Sequence, residues 1–273
     1  MQLLTVAKGF SQSNVKELAS SYQSILNQYD VNHIDFDIEG ANVQDTDAND
    51  LRSAALKSLQ EQNPSLTISY TLPVLPTGLT GEPTNVLGGY DVVESSLKAG
   101  VDIAGVNIMT MDFGDDAAPM NKGSMGEYTI EAATKTHDQM VKLFTTYEQT
   151  FGWENIGITP MVGINDVHDE VFFISDAKTV LDFAHEKGIG MMSMWELTRD
   201  VEMPENQTYL SLPADTGLTG NASSKNPLAV KDPQYIKGGF TKTWFNYQPQ
   251  TPSTSFWDQS FAPYVDFAGW CSD

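Results

Sequence analysis

The chain has 273 residues, with 15 Lys+Arg against 36 Asp+Glu, a formal charge of −21. Hydrophobic residues make up 40% and aromatics 10%, enough apolar material for a packed core and not the composition of a disordered chain. An acidic chain without a Lys/Arg cluster repels phosphate, so nucleic acid is excluded as a partner. No apolar run reaches the length of about 18 residues that a membrane helix needs. MQLLTVAKGF at the start reads as too short and too polar for a signal peptide. A single cysteine, Cys271, rules out an internal disulfide and a multi-cysteine metal site. The four histidines (33, 137, 168 and 185) are scattered, so neither a metal nor a cofactor is expected. Two sequons, at Asn206 and Asn221, carry little weight.

The elements alternate along the chain. A helix is expected over 14–28, with Asn14 and Glu17 as a capping box and Val15, Leu18, Tyr22 and Ile25 on one stripe. The strand HIDFDIEG follows from about His33 to Glu39. A helix over 50–62 stops at Asn63-Pro64, and the strand LTISYTL occupies 66–72. A helix over 84–99 leads to the strand AGVNIMTMDF (104–113). A helix over 126–150 precedes IGITPMVG (156–163). A helix over 176–187 ends at Gly188, and IGMMSMW (189–195) closes the series. Strands alternating with helices at this spacing predict parallel βαβ units, either a (β/α)8 barrel or a doubly wound sheet. There is no GxGxxG after a strand and no P-loop, which weakens the nucleotide-binding forms of the open sheet. The stretch after 197 is rich in Pro, Thr, Ser and Asn and reads as loop and linker, with GGFTKTWFNY and FAPYVDFAGW as short ordered segments.

The strand at 33–39 is the most informative stretch. Alternation sets Ile34, Phe36 and Ile38 on one face and Asp35, Asp37 and Glu39 on the other, same-face neighbours lying about 6.6 Å apart. In a barrel the apolar face would meet the helices and the acids would point into a low-dielectric interior. Three carboxyls there cannot all ionise, so at least one is held protonated, which is what a general acid requires. Glu39 falls at the carboxyl end of its strand, where barrel enzymes keep their chemistry. An acidic edge strand and a calcium site are the bland alternatives. Calcium favours a flexible loop over a strand.

Asp35-x-Asp37-x-Glu39 resembles the DxxDxDxE signature of glycoside hydrolase family 18, the chitinases and their relatives, and IDFDIEG is similar to the bacterial and archaeal branch. The resemblance extends in order over 12–200: Ser69-Tyr70-Thr71-Leu72-Pro73, Met109-Thr110-Met111-Asp112, Thr159-Pro160-Met161-Val162-Gly163 and Ser193-Met194-Trp195 look like successive strands of that family. Asn32 stands where the family usually has its first Asp.

The resemblance implies a (β/α)8 TIM barrel and hydrolysis of β-1,4-linked N-acetylglucosamine polymers, chitin or chitooligosaccharides, with no cofactor. It implies a retaining mechanism without an enzyme nucleophile, an exception to the two-carboxylate scheme. By the same correspondence Glu39 would be the acid and base, Asp37 would orient the acetamido group, and Asp35 would share a proton with Asp37. Met109, Met111, Asp112, Trp195 and Tyr70 would contact substrate, Trp195 as a platform for the sugar. Two relatives of this reading stay open, an endo-β-N-acetylglucosaminidase acting on N-glycans and a non-hydrolytic lectin, although lectins on this barrel usually lose the acid.

The family's motif lies on its fourth strand, and only about 31 residues precede it here. The first three strands are therefore expected to be missing, and the barrel to be incomplete or permuted. The division expected is 1–200 for the barrel portion, 201–255 for an irregular extension, and 256–273 for the start of a second barrel or a permuted first strand, because Phe261-Ala262-Pro263-Tyr264-Val265-Asp266 resembles the family's first strand. An open barrel leaves strand edges unpaired, so self-association is expected. Chitin is extracellular, which implies secretion of the parent protein.

Overall fold

The computed structural model describes residues 15–81, 86–167, 169–202, 218–219, 238–244 and 247. The calls on Cys271, both sequons, His168, Asn14 and segment 256–273 lie outside the described residues.

Helix α1 (Val15–Tyr29) buries Leu18, Ala19, Tyr22 and Leu26 on one stripe, with Leu26 in the place expected for Ile25. Strand β1 (His33–Asp37) follows. Helix α2 (Thr46–Gln62) starts four residues before the expected position, because the Asp45 carboxylate accepts the Ala48 N–H at 3.1 Å and caps it there. Strand β2 spans Thr67–Pro73 and helix α3 spans Gly89–Lys98. Strand β3 (Gly105–Thr110) is shorter than expected, since Asp112 takes a left-handed φ of 50° and turns the chain. Helix α4 (Met125–Thr146) opens on a capping box between Ser124 and Glu127. Strand β4 (Ile156–Pro160) leads into an antiparallel hairpin of β5 (Gly163–Ile164) and β6 (Val171–Phe172). Helix α5 (Ile174–Lys187) ends on Gly188 at a φ of 73°, a left-handed cap that suits glycine. Strand β7 is Met191–Met192. A short parallel pair, β8 (Val201–Glu202) and β9 (Leu218–Thr219), precedes helix α6 (Gly239–Trp244).

The main sheet runs β1-β2-β3-β4-β7, every pair parallel. This is the expected α/β class with five of the strands of a barrel. Register decides the two faces. Phe36 pairs with Tyr70, Tyr70 with Val106 and Val106 with Ile156. These side chains, with Ile34, Ile68, Leu72, Ile108 and Ile158, are buried beneath the helices. Each such side chain contributes about 1.5–3 kcal/mol by leaving water. The opposite face carries Asp35, Ser69, Asp37, Thr71, Asn107 and Thr159. On it the expectation of a closed, low-dielectric interior is corrected: Asp35, Asp37 and Glu39 are all exposed. Among the described residues β1 and β7 are the two edges of an open sheet, and on the acid face Ser69, Asn107 and Thr159 are buried.

The segment GGFTKTWFNY, expected to be ordered within the linker stretch, contains helix α6 and is packed. Phe240 and Trp244 of α6 are buried against Phe172. The Trp244 indole N–H donates to the Ala177 carbonyl of α5 at 3.1 Å, and the Asp200 carboxylate accepts the N–H groups of Phe240 and Thr241. Among the described residues no helix is long and apolar enough to cross a membrane.

Candidate active site

The acid strand is fixed by its neighbours. The Ile38 N–H donates to the Thr71 carbonyl at 3.1 Å, extending the pairing one residue past β1. Glu39 is itself extended, with φ −131° and ψ 165°, so Asp35, Asp37 and Glu39 keep to one face.

Asp35 has both oxygens engaged. The Ser69 hydroxyl donates to Oδ1, and the Thr71 hydroxyl donates to Oδ2 at 2.6 Å. With its proton spent on Asp35, Ser69 Oγ accepts from His33 Nε2, 2.8 Å away. Burial pushes the His33 ring below the ordinary histidine range, against the pull of Asp35. On the other side Asn107 Nδ2 donates to Thr71 Oγ1 at 3.1 Å, and Thr159 Oγ1 donates to Asn107 Oδ1 at 2.9 Å. A polar ladder thus crosses four strands, from His33 to Thr159. Gly157 makes room for it: a Cβ there would lie 2.9 Å from Asn107 Oδ1.

Asp37 behaves differently. Its carboxyl is pushed up to about 7, first because neighbouring protein strips water from it, then by the charge of Glu39, a hydrogen bond with Glu39 and the charge of Asp35. Glu39 and Asp35, the carboxyls on either side of it along the same face, thus help to hold a proton on Asp37.

The predicted substrate contacts divide. Met109 faces the same side as Asn107 and is half-buried, as is Met111. Asp112 is also half-buried; burial raises its carboxyl above the ordinary range, and the Val167 N–H donates to its Oδ1 at 2.8 Å. Trp195 is 52% exposed and is no core tryptophan. Its N–H donates to the Pro160 carbonyl and its carbonyl accepts the Val162 N–H, which places the ring at the carboxyl end of β4; the Trp195–Glu196 peptide is cis. Tyr70 is a correction. It is fully buried on the helix side, its hydroxyl 2.6 Å from Ser96 Oγ and its ring 5.8 Å from that of Phe36. Its pairing with Phe36 forces that face, so it lies away from the acids.

Sequence reasoning missed Ser69, Thr71, Asn107 and Thr159 as partners, although extending the alternation of β1 across the sheet would have found them. Among the described residues no cluster of three or more His, Cys, Asp or Glu is disposed to hold a metal ion.

No protein-family model matches the chain. It is 37% identical over 224 residues to a "Probable bifunctional chitinase/lysozyme" of Escherichia coli K12, covering 79% of this chain and 24% of that protein. It is 37% identical over 200 residues to "Endochitinase 11" of Metarhizium anisopliae, covering 70% of this chain and 37% of that one. The chain therefore spans well under half of either relative. The catalytic domain of a hyperthermophilic chitinase from Pyrococcus furiosus superimposes with a TM-score of 0.61 at 26% identity, over 86% of this chain and 68% of that one. Catalytic-site mutants of active domain 2 of a thermostable P. furiosus chitinase, complexed with chito-oligosaccharides, match with the same TM-score at 27% identity. The fold is that of a chitinase catalytic domain of the TIM-barrel type. In sequence and in fold the chain is thus similar to chitinases.

Proposed function

We propose that the chain is a large part of a family 18 chitinase barrel that hydrolyses β-1,4 links between N-acetylglucosamine units with retention. The observation that carries this reading is the acid face itself: Asp35, Asp37 and Glu39 share one side of a parallel strand at its carboxyl end, with Asp37 pushed up to about 7 beside Glu39. Glu39 donates a proton to the leaving glycosidic oxygen as the acetamido carbonyl oxygen of the substrate attacks C1. The C1–O bond breaks and an oxazolinium ion forms. Asp37, as a carboxylate, accepts the acetamido N–H and offsets the positive charge. Water then attacks C1 and gives a proton to the Glu39 carboxylate, and the acetamido oxygen departs from C1. Asp35, pinned by Ser69 and Thr71, supplies negative charge that helps hold the proton on Asp37. Asp112, Met109 and Met111 flank the sugar, and exposed Trp195 stacks on its apolar face.

Release of sugar from chitotetraose, compared with Glu39→Gln, tests the assignment. Turnover should fall by about 10²–10⁴-fold while oligosaccharide affinity is kept. Binding without turnover by both proteins would instead favour the lectin reading. We also place the parent protein outside the cell, where its substrate is. The edges of β1 and β7, unpaired among the described residues, support self-association of the isolated chain. A monodisperse, cooperatively melting monomer would contradict that.

A further inference from the structure

Glu170 is fully buried. Its two oxygens are spent on successive backbone amides of the turn after β3: Phe113 N–H donates to Oε2 at 3.1 Å and Gly114 N–H donates to Oε1 at 2.6 Å. Its own backbone is locked as well, its N–H donating to the Val167 carbonyl and its carbonyl accepting the Asn165 N–H, each at 2.9 Å. Asn165 is equally buried. Its Nδ2 donates to the carbonyls of Met161 and Gly163, and its Oδ1 faces the Asp112 N–H at 3.4 Å. From the same hairpin, Val167 N–H donates to the Asp112 carboxylate. Arg199, buried behind β5, donates to the carbonyls of Val162 and Ile164.

Two of these bonds, from Asn165 and Val167, end on Asp112, and two from Glu170 end on the residues that follow it. Asp112 has a left-handed backbone, uncommon for a residue with a side chain and costing of order 1 kcal/mol or more. Such a conformation persists only where its surroundings over-determine it. The clamp from Glu170 grips the two residues just after Asp112, while Asn165 and Val167 grip Asp112 itself.

We propose that Glu170 is a positioning residue for Asp112, locking the turn after β3 onto the β5–β6 hairpin so that the Asp112 carboxyl is held at the rim of the acid face. Glu170 reaches no substrate. It acts through backbone amides, and removing one of its oxygens as an acceptor lets the turn and Asp112 relax together. The proposal rests on the reading of Asp112 as a substrate contact, and the test separates the two.

The full chain is compared as wild type, Glu170→Gln, Asp112→Ala and the double variant. Glu170→Gln keeps one carbonyl oxygen but sets an amide NH2 against a backbone N–H. The expected result is a KM for chitotetraose raised about tenfold or more with a smaller change in kcat, and no further rise when Glu170→Gln is added to Asp112→Ala. The Asp112 carboxyl, followed by 13C NMR, should also titrate at a shifted position in Glu170→Gln. Should the Gln variant not fold, Glu170→Asp, which keeps the charge but is one methylene short, is read the same way. An undiminished effect in the Asp112→Ala background, or an unmoved Asp112 titration, overturns the proposal. If the wild type neither binds nor cleaves chitotetraose, the substrate reading fails, and the Asp112 titration in Glu170→Asp, which keeps the charge, then decides the positioning role.

Discussion

Among the described residues two carboxyls are pushed up to about 7, and their surroundings are opposite. Glu170 is raised chiefly by burial, against two backbone amides that pull it down, with Asp112 and Asp115 adding a little. Asp37 also loses water to its neighbours, but the groups around it are carboxyls, Glu39 first and Asp35 behind, and all of them push it up. Glu170 spends its oxygens on holding a turn. Asp37 sits between carboxyls that hold its proton on. A raised carboxyl therefore does not by itself mark chemistry; the identity of its partners does.

The contrast can be broken most forcefully at Asp37. Asp37→Asn removes the carboxyl proposed to face the acetamido group, and turnover of chitotetraose should drop about 10²-fold or more. Its melting temperature should stay close to that of wild type, because a like-charge contact is relieved. Glu170→Ala should do the reverse to stability. It leaves the amides of Phe113 and Gly114 without acceptors, a cost of about 1–3 kcal/mol readable by urea unfolding. A melting temperature lowered by Asp37→Asn and untouched by Glu170→Ala would reverse the contrast.

The pH dependence sharpens it. Both groups hold protons more tightly folded than unfolded, so between the ordinary carboxylate range and about 7 the native state binds more protons. Their contribution to stability is greatest below that range, falls as pH rises through it, and levels off above about 7. Asp37→Asn and Glu170→Gln should each flatten part of the fall in melting temperature across pH 4–7, measured as variant against wild type.

The smallest effects separate the two faces of the sheet. Trp195→Ala removes an exposed ring and should shift stability by less than about 0.5 kcal/mol, yet weaken chito-oligosaccharide binding by about tenfold. Tyr70→Phe loses the bond to Ser96, should cost about 1 kcal/mol of stability, and should leave KM and kcat unchanged.

The legible parts of the fold are those whose information is local. Alternation in β1 reads out both faces because Ile34, Phe36 and Ile38 differ so sharply from the acids between them. Gly188 marks the end of α5 because a left-handed cap favours glycine. Asp45 was readable as a cap in principle, but the polar first turn of α2 hid the start of the helix. Tyr70 was misplaced because Ser69-Tyr70-Thr71 does not say which face is which. That comes from pairing with Phe36, across 34 residues of sequence. Glu170 left no local trace, since its partners are backbone amides 56 and 57 residues away and no side-chain pattern encodes them.

The central claim is that Glu39 helps to hold a proton on Asp37, and 13C titration of the Asp37 carboxyl in wild type and in Glu39→Gln tests it most directly. Asp37 should titrate near 7 in the wild type and clearly lower in the variant, where the charge of Glu39 is gone. An Asp37 that titrates at the same pH in both proteins would show that Glu39 has no part in setting it, and the account would be wrong.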